Sequence, residues 1–182
     1  MGLDMYLTKR TYVKNWDHHS ADKKYKVTVK QGGKVLKDIK PERVTYIIEE
    51  IGYWRKANHI HKWFVDNCQD GVDDCRDAYV SSEDLKKLYD ICKEVMDSVK
   101  LVDDKIVNGY TFKDGKEIPN LTEGKRIKHP AVAKKLLPTS SGFFFGSEDY
   151  DQWYVEDIEQ TIKILESTFS DEHGEYYYNA SW

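Results

Sequence analysis

Residues 41–66, PERVTYIIEEIGYWRKANHIHKWFVD, carry the reading on which the fold turns. Pro41 suits the first turn of a helix, where its missing N–H costs nothing. Val44, Ile47, Ile48 and Ile51 then make one apolar stripe, and Tyr53, Ala57, Ile60 and Phe64 make a second at spacings of 4, 3 and 4. Both fit a helical period, so the pattern predicts a helix over about 42–66, covered on more than one side and central to the domain.

Working outward, Ser81 or Ser82 caps a second predicted helix at about 82–100, with Leu85, Leu88, Cys92, Val95 and Val99 as its buried stripe. A third is predicted over about 149–169, with Tyr154, Ile158, Ile162, Leu165 and Phe169 on one face. Leu3, Met5 and Leu7 alternate with polar neighbours as a half-buried strand does, and Tyr176, Tyr178, Ala180 and Trp182 do the same at the other end. These two strands are expected to pair. Gly32-Gly33 lies between 25–29 and 35–39 as a hairpin turn. Asn108-Gly109 and Asp114-Gly115 mark a hairpin arm inserted at 101–128. Gly142 to Ser147 reads as a short buried strand, and Pro130 to Leu137 as a short helix ended by Pro138.

The order is β, ββ, α, α, arm, β, α, β. Strands and helices do not alternate, so the expected class is α+β rather than doubly wound. The expectation is one domain over 1–182, a small, mostly antiparallel sheet holding both terminal strands against three long helices. Length supports it, because 182 residues make one domain with a core of its own.

Composition excludes some functions. The net charge is −4 and the pI about 5.9, which argues against binding nucleic acid through bulk charge. No apolar run is long enough to span a bilayer, so no membrane association is expected. The start Met1-Gly2-Leu3-Asp4-Met5-Tyr6 lacks the pattern of a signal peptide, and Tyr6 stands where myristoylation needs Ser or Thr. Cys68, Cys75 and Cys92 are read as free thiols in a reducing cytoplasm.

Several blocks are distinctive: Gly2-Leu3-Asp4-Met5-Tyr6-Leu7; Tyr53-Trp54-Arg55-Lys56-Ala57-Asn58 with Ile60-His61 and Trp63-Phe64-Val65; Gln69-Asp70-Gly71-Val72-Asp73-Asp74-Cys75; and Leu137-Pro138-Thr139 with Ser141-Gly142-Phe143-Phe144-Phe145-Gly146-Ser147, Tyr150-Asp151 and Trp153-Tyr154. Together they resemble a family of small bacteriophage- and prophage-encoded proteins. The resemblance leaves out the 25–39 hairpin and the 101–128 arm. It implies a viral origin and the cytoplasm of an infected host, and no mechanism.

On a helix, Trp54, Asn58 and His61 would share a face, bordered by Arg55. An indole to stack a ring, an amide and imidazole to hydrogen-bond it, and a guanidinium for phosphate suit a nucleotide-like ligand. Core packing is the competing reading of the same Trp and His. Ser147 and Trp153, at the start of the third helix, complete the expected ligand set, though the neighbouring Glu148, Asp149 and Asp151 would repel a phosphate there.

Asp66 to Asp77 has the length of a calcium loop but carries Cys68 at its third position and Asp77 in place of the bidentate Glu, so a solvated acidic turn is expected. No zinc spacing, P-loop or nucleophile elbow is present. A Cys75–His61 nucleophile pair is permitted by the sequence and supported by nothing in it. No metal, cofactor or catalytic residue is expected.

Three functions follow. The first is a non-catalytic binder of a small anionic aromatic ligand, sequestering a nucleotide-derived signal of host defence. The second is an interaction protein that binds a host protein through the acidic 148–160 face and the C-terminal strand. The third is an enzyme acting on nucleotides or phosphoesters. A homodimer through an exposed Tyr-rich edge strand is the expected route to any oligomer.

Overall fold

The computed structural model describes residues 2–113, 115–142, 145–171 and 173–182. Strand β1 (Asp4–Tyr12) is central to a four-stranded antiparallel sheet. It pairs on one side with β4 (Tyr46–Arg55) and on the other with the last strand, β8 (Glu175–Ser181), which in turn pairs with β5 (Ala78–Val80). The terminal strands are thus neighbours, Met5 opposite Ala180 and Leu7 opposite Tyr178. Met5, Leu7, Tyr176, Tyr178 and Ala180 are buried in one core with side chains of α1 (Asn58–Cys68), α2 (Ser82–Ser98) and α4 (Gln152–Glu166). The architecture is α+β. No helix among the described residues is long and apolar enough to cross a membrane.

The largest departure from the sequence reading lies in 41–66. Pro41–Arg43 is a single 3-10 turn, residues 46–55 are strand β4, and only 58–68 is helix. The local chemistry explains this. Thr45 to Ile48 is a β-branched and aromatic run that fits a pleated surface. Gly52, a poor helix residue, lets the strand approach α4, since a Cβ there would lie 2.6 Å from Ile164. A register shift at Leu7/Thr8 places Leu7 opposite Gly52 but Thr8 opposite Glu50, so Ile51 is the extra residue of a bulge. Lys56, at φ +63°, ends the strand, and its N–H donates to the Leu3 carbonyl at 2.8 Å.

Helix α2 starts after Ser81, whose hydroxyl accepts from the Asp84 N–H, and buries Leu85, Leu88, Cys92 and Val95 as the stripe predicts. The inserted arm is a hairpin of β6 (Leu101–Lys113) and β7 (Lys116–Ile127). Asn108-Gly109 forms a register shift within it, and Gly115 (φ +72°) lies at its tip. The 25–39 hairpin is reduced to β2 (Lys30–Gln31) and β3 (Lys34–Val35) around Gly32-Gly33. Ala131–Leu136 forms the short helix α3. Gly142 and Phe145 to Ser147 form a loop, not a strand; Phe143 and Phe144 lie outside the described residues.

Strand β8 lies between β1 and β5, with Tyr176 and Tyr178 buried. The C-terminal strand is therefore covered by β1 along its length and by β5 over Tyr176–Tyr178, with residues 179–181 beyond the end of β5. The long edge strand is β4, whose Tyr46, Ile47 and Ile48 are exposed.

Candidate functional site

A cleft of about 320 Å³ opens where four pieces of chain meet. They are residues 55–59 at the start of α1, Val107 to Tyr110 of the hairpin, the loop at 139–149, and the first two turns of α4. Arg55, Asn58, Ser147 and Trp153 line it. Trp54 and His61 do not, because a strand followed by a turn, and not one helix, carries residues 54–61.

Trp54 is fully buried, its indole N–H donating to the Thr161 hydroxyl at 2.9 Å and its ring 6.1 Å from that of Phe64. His61 is buried on the far side of α1, between the Tyr178 hydroxyl (2.7 Å, on Nδ1) and Asp73 (2.9 Å, on Nε2). Both are core residues. With both ring nitrogens engaged, His61 has none left to serve Cys75 as a base.

Asn58 is a clamp. Its Nδ2 donates to the carbonyls of Phe145 (3.0 Å) and Ser147 (2.9 Å), and its Oδ1 accepts from the Ser140 N–H at 3.1 Å. That fixes the loop against α1 and engages both ends of the amide. The Ser147 hydroxyl accepts from the Asp149 N–H at 3.1 Å. Gly146, at φ +88°, sits against Lys56, where a Cβ would be 3.1 Å from the Lys56 Cβ.

The side chains free to meet a ligand are others. Arg55 is well exposed, with only a 3.9 Å approach to Asp4. Lys56 lies beside it on the wall. Trp153 is 44% exposed and Tyr110 48%. Asp149, Asp151, Glu156 and Asp157 make four carboxylates against these two cations.

Three groups outside the expected ligand set give the cleft its chemistry. His59 is buried, its ring 4.2 Å from that of Tyr154, and its Nε2 has no partner among the described residues. Burial pushes its pKa down to about 3, so the ring is neutral at working pH. Asp151 caps α4, its Oδ1 accepting from the N–H groups of Trp153 (2.9 Å) and Tyr154 (3.3 Å). Its Oδ2 is buried without a partner among the described residues, and burial raises the pKa of the carboxyl. Burial, helped by Glu156 and Asp151, pushes the Asp157 carboxyl up to about 7. Unpartnered buried polar atoms are rare and call for an explanation; two of them belong to residues of this one cleft. The sequence signals were slight: an Asp before Gln152-Trp153, and a His two residues from the more conspicuous His61.

Asp157 makes a pH prediction. Its folded pKa lies above the ordinary carboxylate value, so between about pH 4 and pH 7 the folded state binds more protons than the unfolded one, and stability falls as pH rises through that window. Asp157→Asn removes this slope. The variant is expected to be more stable than the parent at pH 8 by on the order of 1–2 kcal/mol, the partly exposed carboxyl being relieved by water, and to gain little at pH 4. Melting curves at the two pH values check it; an equal difference at both would refute the assignment.

Among the described residues no three His, Cys, Asp or Glu side chains stand close enough to hold a metal. In the 66–77 loop Asp66 pairs with Lys62, Asp73 with His61 and Trp182, Asp74 with Arg76, and Asp77 with Arg10 and Asn179. These carboxylates are spent on internal partners. Burial raises the Cys68 thiol to about 12 and the Cys92 thiol higher still, so neither is a ready nucleophile.

Compared with protein-family models, with curated proteins and with solved structures, the chain matches none.

Proposed function

We propose that the chain is a small-molecule-binding protein that holds a nucleotide-like ligand in this cleft without transforming it. One observation carries the reading: an exposed indole, two cations and two residues with unpartnered buried polar atoms line a single cleft. A ring would stack on Trp153, a phosphate would meet Arg55 and Lys56, and sugar or base donors would satisfy Asp151. The four carboxylates refine the ligand. They oppose a run of phosphates and suit a mononucleotide, with one anionic group and several N–H and O–H donors. The resemblance to phage proteins supports a role in the infected host's cytoplasm, where sequestering a defence signal needs binding alone.

Isothermal titration with nucleosides, mononucleotides, cyclic dinucleotides and ADP-ribose tests this. Mononucleotides should bind most tightly, and Trp153→Ala should weaken them about tenfold, the loss of one stacking partner. No heat and no thermal shift across the panel would sink the proposal. The Asp157 carboxyl, titrating near neutrality at the cleft, favours an enzyme as the second reading. Turnover of a bound nucleotide on long incubation would select it; recovery of the ligand unchanged would select binding.

A further inference from the structure

The arm between β1 and β4, residues 13–45, lies outside the core, and Val13 is its one buried residue. It carries nine Lys and Arg against four Asp and Glu. Five net positive charges therefore sit on the arm, and the rest of a chain of net charge −4 holds nine net negative ones. The acidic total conceals a strongly basic segment, and it is the local field that a charged partner meets.

Aromatic rings are set among these cations. Trp16 and Tyr25 lie on the arm, and Tyr12 and Tyr46 stand at its two roots, all four more than a third exposed. They are braced. The Trp16 indole N–H donates to the Tyr12 hydroxyl at 2.8 Å, and Tyr12 packs edge-on against Tyr46 with centroids 5.3 Å apart. Asn15 grips the Tyr25 backbone at both ends, accepting from its N–H and donating to its carbonyl, each at 2.8 Å. The Lys14 ammonium lies 4.8 Å from the Trp16 ring centroid. Tyr12, Tyr25 and Tyr46 wall an open groove of about 540 Å³, and Tyr25 also borders a second hollow with Lys14 and Lys26. Among the described residues each hollow contains one carboxylate, Glu175 in the first and Glu42 in the second. Arg10, in the groove wall, is already paired with Asp77.

We propose that this arm, with Tyr12 and Tyr46, is a binding surface for single-stranded nucleic acid. Lysines track the phosphates, and the braced rings give stacking platforms to unpaired bases. A duplex hides its base faces, so rings held in place would gain nothing from it. An anionic bilayer would use the lysines but not the fixed, hydrogen-bonded rings. The surface is independent of the cleft and shares no residue with it.

Fluorescence anisotropy with a labelled oligodeoxythymidine and an oligouridine, each of about 20 nucleotides to exceed one site of ~4–16 nucleotides, tests this. Binding should weaken steeply with added salt, and unlabelled single strands should compete at least tenfold better than a duplex of equal length. Trp16→Ala and Tyr25→Ala should each weaken binding about tenfold, and Lys23→Glu with Lys24→Glu and Lys26→Glu should abolish it, all with unchanged circular dichroism. The salt slope and the strand preference belong to the unaltered chain, so the test stands even if a variant misfolds. Absence of binding, equal affinity for duplex, indifference to the ring variants, or a preference for phosphatidylglycerol vesicles or an acidic peptide over the oligonucleotides would each overturn the proposal.

Discussion

Trp54→Ala is expected to lower stability by about 3–5 kcal/mol, the usual cost of deleting a large buried aromatic side chain. For a chain of this length that is a fall in melting temperature on the order of 10 °C. Two losses combine. Removing the ring opens a void beside Phe64, and α4 loses one of its ties to the sheet, keeping the bond from the Gln160 amide to the Tyr53 carbonyl. The Thr161 hydroxyl accepts from the Trp54 indole and donates to the Asp157 carbonyl at 2.7 Å, so the indole braces α4 at a cleft residue. Trp153→Ala is the control. Its ring is exposed on the cleft wall, and its loss should change stability by less than about 0.5 kcal/mol. Urea melts of the two variants separate the roles: a core tryptophan unfolds the chain and a cleft tryptophan only empties a site. Equal, small losses would mean that Trp54 is not the core residue its burial indicates.

The two tryptophans also show where sequence reading stops. Helix α2 was legible because its stripe, its Ser81 cap and its partners all repeat at one local period. Strands β1 and β8 were legible because alternation alone puts Met5, Leu7, Tyr176 and Tyr178 on one face. Residues 41–57 were not. Val44, Ile47, Ile48 and Ile51 fit a helical stripe, but the spacing cannot report that β1, some 40 residues away, offers hydrogen bonds to this segment. Non-local pairing overrode the period, and the stripe became the exposed edge of a sheet. From Ala57 onward the period held, and Ile60 and Phe64 are buried as predicted. The cleft showed only in part, through Arg55, Asn58, Ser147 and Trp153, for a related reason. Arg55, Tyr110, Ser147 and Trp153 come from four stretches that only folding brings together, and the unpartnered atoms of His59 and Asp151 are properties of burial, which composition does not encode. Net charge averages over the chain, so its sum hides the sign of residues 13–45.

His61→Leu is expected to cost about 2–4 kcal/mol, for reasons that a double-mutant cycle can isolate. Asp73 as a carboxylate only accepts, so His61 Nε2 donates to it, and the Tyr178 hydroxyl closes the chain at Nδ1. The other Asp73 oxygen accepts from the Trp182 indole at 3.1 Å, so the network ties the acidic loop to the sheet and to the residue after β8. Tyr178 is fully buried, with its ring stacked on Phe64 at 4.0 Å. Leucine at 61 is similar in size but strands the Tyr178 hydroxyl where water does not reach, and a stranded buried donor costs about 1–3 kcal/mol on top of the lost bonds. Tyr178→Phe strands His61 Nδ1 instead, at about 1–2 kcal/mol, since the remaining bond to Asp73 holds the ring. In the double variant neither group is left without a partner. Its cost should therefore fall below the sum of the singles by about 1–2 kcal/mol, which is the signature of two groups in direct contact. Strict additivity in chemical denaturation would mean that the two side chains do not share a hydrogen bond in solution. Oligonucleotide affinity in the double variant should stay at the parent value, because Tyr178 lies opposite Leu7 in the middle of β1 and the arm starts beyond Tyr12 at its end.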